Sequence, residues 1–278
     1  MLKGISYTLL LLFIFSCSAP EQSDSMIGRF NTETDLFLAH FDSKTDVDDI
    51  HSIAGLATML ADERFSEVQY HAVAGAYGIQ DGLYVPANGL FEEAFGSNWS
   101  DAHTNREMAL EVVSGKAKNH VEKGGSIWIA EAGQSDFSAD LVRSIKKQLP
   151  DPDVKELIHV VQHADWNEEV TSPEDLAYLK EEISYHKIPD GNGFDNGTPG
   201  FRSDEIIDWQ SHISNARLTE IWSAAIDTAN IYNGVQDRYL NTSIEAGGLD
   251  FSDVAETCWI FGFEHLRGAN EFFEEFGQ

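Results

Sequence analysis

The sequence predicts an α/β protein with an open, mostly parallel sheet: a Rossmann-like core flanked by helices. Three observations predict it. Apolar runs of strand length alternate with helix-period segments at least four times along the chain. Polar or glycine-rich turns punctuate these runs. With 278 residues, 42% of them hydrophobic, the chain can bury a substantial core. Such alternation requires right-handed crossovers between parallel strands. It also puts ligands outside the carboxyl ends of those strands.

The first strand is 35–41, Asp-Leu-Phe-Leu-Ala-His-Phe. It stops in an acidic turn, 42–49, and a helix over 50–61 follows, with Ile53, Ala54, Leu56, Ala57 and Leu60 at helical spacing. Residues 68–74 form the second strand, ended by Gly75. Residues 104–119 read as a helix, broken by Gly124-Gly125 before a third strand at 126–130. A helix over 140–149 is stopped by Pro150 and Pro152. The fourth strand is 157–162, and 173–186 is helical. Residues 189–203 are dense in turn formers and read as a long ordered loop or lid. Helices are expected over 204–214, 219–232 and 254–263. Four strand-end turns become candidate ligand positions: 42–49, 75–80, 133–137 and 163–167.

The charge balance is 47 acidic against 18 basic residues, a net of −29. Phosphate contacts need a basic surface, so nucleic acid is excluded as a partner, and so is docking on anionic lipid headgroups. Two cysteines exclude a disulfide scaffold. The acidic excess has two readings: solubility in a salty medium, or a cation held in an acidic cleft.

The amino terminus reads as a targeting segment. Lys3 precedes an apolar run from Tyr7 to Phe15 that is too short to span a membrane. Ile14-Phe15-Ser16-Cys17 resembles a bacterial lipobox, with Cys17 as the acylated residue. The expected organisation is a lipoprotein signal segment over 1–17, a tether over 18–34 and a single domain over 35–278. The expected location is extracytoplasmic, anchored by lipid on Cys17 in the periplasm or on the surface of a bacterium. Cys258, in an apolar helix, reads as core.

The strongest local signal is His40-Phe41-Asp42-Ser43-Lys44-Thr45-Asp46-Val47-Asp48-Asp49, with four carboxylates in eight residues. Carboxylates this close repel one another unless protons or a cation neutralise them. Calcium prefers several such oxygen ligands. An EF-hand fails here, because Val47 stands in place of the required glycine and Ile53 in place of the required glutamate. The remaining alternative is a solvated turn capping the next helix.

Asp42, Asp48 and Asp49 after a first strand resemble the Asp-x-Asp-Pro-Gly-x-Asp-Asp signature of the nucleoside hydrolase superfamily. Lys44 replaces the second acid, and Thr45-Asp46 replaces Pro-Gly. Val73-Ala74-Gly75 is similar to the family's second strand end, and Ala130 to Asp136 to its strand ending in Gly-Pro-Leu-Thr-Asn. Trp166-Asn167-Glu168 resembles its Glu-Phe-Asn, and Ser252-Asp253 lies where a late His-Asp pair opens a helix. The resemblance runs from about residue 35 to 262. It implies calcium bound by Asp42, Asp49, Asp253 and a backbone carbonyl at about Asp136. It also implies Asp42 as the base for the attacking water, with Asp48 and Asn167 on the sugar. The implied function is a calcium-dependent hydrolase of an N- or O-glycosidic bond, acting on a nucleoside, small sugar or glycan. Ala76 and Ser252 replace the family's Asn and His. They motivate an alternative, a non-catalytic glycan-binding lipoprotein that keeps the fold and the metal.

Among the other candidates, His163 ends the fourth strand and is a site candidate, whereas His40 and His71 lie on strands and read as core. Trp166 and Phe194 are candidates to stack on a sugar. No zinc-protease helix motif, no Gly-x-Ser-x-Gly elbow and no phosphate loop is present.

Overall fold

The computed structural model describes residues 25–149 and 154–277. The expected signal segment and its expected lipidation site, Cys17, lie outside the described residues. So does 18–24 of the expected tether. Its remainder is not a tether. Strands β1 (Met26–Ile27) and β2 (Phe30–Asn31) pair antiparallel, and Phe30 is fully buried against the ring of Phe261, 5.2 Å away. An aromatic residue this well packed makes 25–34 part of the domain.

The central sheet has six parallel strands: β3 (Leu36–Phe41), β4 (Tyr70–Ala74), β5 (Trp99–Asp101), β6 (Ile127–Ala132), β7 (Ile158–Gln162) and β8 (Ser184–Lys187). Their order is β5-β4-β3-β6-β7-β8. The chain thus builds outward from β3 in one direction, then returns to β3 and builds the other way. The reversal falls between β3 and β6, whose registers pair Leu36 with Ile127 and Phe41 with Ala132. Two short strands, β9 (Arg202–Ser203) and β10 (Leu249–Asp250), pair beside the cleft described below.

Helices cover both faces. They are α1 (Asp48–Ala61), α2 (Asn88–Phe95), α3 (Arg106–Val121), α4 (Asp136–Gln148), α5 (Val154–Leu157), α6 (Asp165–Val170), α7 (Pro173–Glu182), α8 (Ala216–Tyr232), α9 (Thr242–Glu245), α10 (Ala255–Phe261) and α11 (Ala269–Phe276). Strand parity sorts the side chains. Phe37, Ala39 and Phe41 of β3 join Trp128 and Ala130 of β6 beneath α1, α2, α8 and α10. Leu36 and Leu38 join Ile127 and Ile129 beneath α3 and α4, with α7 packed beside α4. The central strands are apolar on both faces, as a parallel sheet covered on both sides requires. Cys258 is buried in α10. Among the described residues no helix is long and apolar enough to cross a membrane.

Several elements depart from the sequence reading. The expected helix over 173–186 ends at Glu182, and Ser184–Lys187 pairs with β7 as an edge strand. Residues 204–214 hold a single 3-10 turn at Trp209–Ser211 in place of a helix. β5 and α11 went unread in the sequence.

Candidate functional site

The reversal between β3 and β6 opens a cleft of about 970 Å³ at the carboxyl ends of the strands. In open α/β sheets, this is where side chains from several loops converge on ligands. All four predicted turns reach it or brace it. Asp42, Asp46, Asp48 and Asp49 line it from the acidic turn, Gln80 from the β4 side and Gly133 from the β6 turn. His163, Trp166 and Asn167 line it from the β7 side, and Asp253 closes it from the far end of the chain.

Each carboxylate has a local reason for its position. Asp42 follows the last residue of β3, and its Oδ1 accepts the Lys44 amide at 2.8 Å. Gly133, after β6, makes room for it: a Cβ there would sit 2.3 Å from Asp42 Oδ2. Asp48 and Asp49 begin α1, where the helix dipole favours negative charge. Asp49 Oδ2 accepts the Ser43 amide, while its Oδ1 is buried without a hydrogen-bond partner. Asp253 lies in the turn that leads into α10 and accepts the Ser52 hydroxyl at 3.1 Å.

Burial, then the proximity of Asp253, holds the Asp42 carboxyl far above the ordinary carboxylate range. Asp49 is raised for the same reasons, with Asp42 and Asp48 adding repulsion. Asp48 is raised by burial and by Asp46, Asp253 and Asp250. These groups confront one another across the cleft floor without enough cationic charge to neutralise them.

His163 is buried beside Asp253. The Gly191 amide donates to its Nδ1 at 2.9 Å, which leaves the ring proton on Nε2, 3.2 Å from Asp253 Oδ1. Burial alone would lower its pKa, but Glu256, Asp253 and Asp190 outweigh burial and raise it to about 9. A second proton must displace the Gly191 amide and turn toward Asp190 Oδ1, 3.6 Å away.

Asp136 does not reach the cleft. It opens α4, so its carbonyl belongs to the helix ladder. Its carboxylate receives the Ser172 hydroxyl and amide and packs under Gly78, where a Cβ would meet its carboxyl carbon at 1.9 Å. It is a brace between two loops. Ala76 and Ser252 are both buried, and Ser252 donates to Asp250 Oδ1 at 2.9 Å.

The cleft also contains residues to which the sequence reading gave no place in it. Lys187, Asp190, Arg202 and Tyr239 line it, and the turn-rich segment 189–203 supplies two of them. Asp46 belongs to the expected motif but had no assigned role. It accepts the Asn241 amide at 3.3 Å, and Asn241 also donates to Asp250 at 2.8 Å. Charged residues scattered along loops carry no periodicity, and only the tertiary fold brings them together.

The donor set suits a hard cation in chemistry: every candidate is a carboxylate oxygen, and Asp49 presents one buried and unpartnered. Among the described residues, no three such side chains already converge into a finished cage. Scans against family models, curated proteins and solved structures find no match to this chain.

Proposed function

We propose that this protein is a calcium-dependent hydrolase of a glycosidic bond, nucleoside-hydrolase-like in its acidic turn and extracytoplasmic in location. One observation carries the reading. Asp42, Asp48 and Asp49, near the start of the chain, meet Asp253, near its end, on the floor of one cleft at the sheet's reversal. Calcium, held by Asp42, Asp49 and Asp253, would supply charge neutralisation and a Lewis acid for bound water.

The chain's own residues do the rest. Asp42 takes the proton of the attacking water as that water approaches an anomeric carbon. A bound cation would keep the Asp42 carboxylate ionised, so that it can accept this proton. Asp48 and Asn167 hold sugar hydroxyls. The sugar's positive charge, which grows as the leaving group departs, faces the aspartates. Trp166, 61% exposed at the rim, offers an aromatic face to the ring.

The testing experiment is thermal unfolding with EDTA and across a calcium titration, followed by turnover of nucleosides and aryl glycosides. Calcium at ~100 times its dissociation constant should add about 2.7 kcal/mol, or several degrees. The shift should vanish in Asp49→Ala, and Asp42→Ala should lose both the shift and turnover. Full activity in Asp42→Ala would sink the mechanism.

A second reading keeps the metal and the fold without catalysis, as a glycan-binding lipoprotein. Ser252 favours it. At the position of the family's late histidine this side chain is buried against Asp250, so it presents no acid to a leaving group. Tight glycan binding with no product over long incubation selects this reading.

A further inference from the structure

A second, more open cavity of about 750 Å³ borders the acidic cleft. Asn192 and Arg202 line both, so the two spaces share a wall. The wall is braced. Arg202 Nε donates to Ser243 Oγ at 2.9 Å and lies 3.5 Å from Asp250 Oδ2, while Nη1 reaches Asn192 Oδ1 at 3.4 Å.

The floor of the second cavity is bare backbone. Gly200 and Gly268 face each other there in an isolated bridge. A Cβ on Gly200 would press on Gly193 O at 2.4 Å and on the Phe194 ring at 3.0 Å. Phe194 stands at this floor with 61% of its surface exposed. Around it are Asn270, Asp204 and the Arg267–Glu271 ion pair.

This chemistry selects a ligand class. The cavity is too open, and too ringed by charged side chains, for a lipid chain. Its arginines are each paired with a carboxylate, which leaves no free cation for an anionic group. An exposed aromatic face among amides and carboxylates suits a sugar ring, whose C–H face stacks while its hydroxyls hydrogen-bond.

We propose that the second cavity is an additional sugar subsite. The ligand of the acidic cleft is then an oligosaccharide of at least two units, with Phe194 and Asn270 holding the unit beyond Arg202. This inference rests on the glycosidic reading of the acidic cleft.

The test measures calcium-supplemented binding of cello-, chito-, xylo- and oligogalacturonide series, from one to four units, by calorimetry. Nucleoside turnover is assayed alongside. In at least one series affinity should rise about tenfold as the second or third unit is added. Phe194→Ala and Asn270→Ala should each collapse that preference for length. Phe194 is exposed, so its loss leaves the core intact. Equal affinity at every length overturns the subsite, as does a length preference that survives both variants. Nucleoside turnover with no oligosaccharide binding also overturns it and leaves the proposed hydrolase standing. Neither turnover nor binding removes both.

Discussion

Asp42 has no spare room on its β6 side, and the reason is a glycine. Gly133 has φ +124°, and its missing Cβ is where the Asp42 carboxylate lies. Gly133→Ala should therefore push Asp42 out of position and strain the backbone at once. We expect kcat/KM to fall about 100-fold, the scale of an ångström's misplacement, with a cooperative but lower melting transition. Wild-type turnover in that variant would separate Asp42 from the chemistry. A second buried pair shows what the sequence did and did not disclose. His40 was legible as a core histidine, and it accepts or donates to Ser138 Oγ at 2.9 Å. Its neighbour Glu131 gave no warning: it is fully buried on β6 and raised well above its ordinary pKa by burial. A strand pattern shows which face a residue occupies, not which polar partner waits there.

Elements place the cleft residues through packing. Phe251 stacks on Phe201 at 4.7 Å and meets Phe272 at 5.0 Å and Trp222 at 5.7 Å. Two residues later comes Asp253, so this aromatic cluster fixes where the last carboxylate enters the cleft. Phe251→Ala should cost about 3–5 kcal/mol, read from the urea midpoint, and should weaken the calcium shift. The four long strands and α1 were legible because their apolar runs are strong and end in clear turns. The short edge strands β5 and β8 were not. An edge strand pairs on one side only and gives a brief, half-polar pattern, as Ser184-Tyr185-His186-Lys187 shows. The helix expected over 204–214 failed because Trp209 and Ile213 are held by tertiary packing, with Trp209 stacked on Trp222. The α11 signal was present in Phe272, Phe273 and Phe276, which are all buried.

At the scale of the whole molecule the acidic cleft shapes the response to pH. In the metal-free protein Asp42 and Asp46 are raised to about 7 and Glu256 to about 8, in each case chiefly by burial. His163 is raised to about 9 by the carboxylates that outweigh its burial. Between pH 6.5 and about 8.5 the folded state thus holds more protons than the unfolded chain, and stability must fall as pH rises. The buried histidines His40 and His51 are lowered to about 3 by burial, so they act in the opposite sense only below their unfolded value. We expect the melting temperature in EDTA to decline across this window and calcium to flatten the decline, because a bound cation favours ionised ligands. A flat profile in EDTA would mean the carboxylates ionise freely in the fold. The gathering of these groups was only half legible: the acids of the first turn announced themselves together and the family resemblance pointed to Asp253, whereas Asp190 and Arg202 became their neighbours only through the fold. The hairpin of β1 and β2 has one more implication. The Arg29 amide of this hairpin donates to Ile260 O at 2.9 Å, and Phe30 packs on Phe261 beside Phe37 at the amino end of β3, while the cleft opens at the strands' carboxyl ends. The six residues of β3 separate the two by about 20 Å. The described chain thus starts on the side of the domain away from the cleft mouth, so that whatever precedes residue 25 in the proposed lipoprotein would join it there.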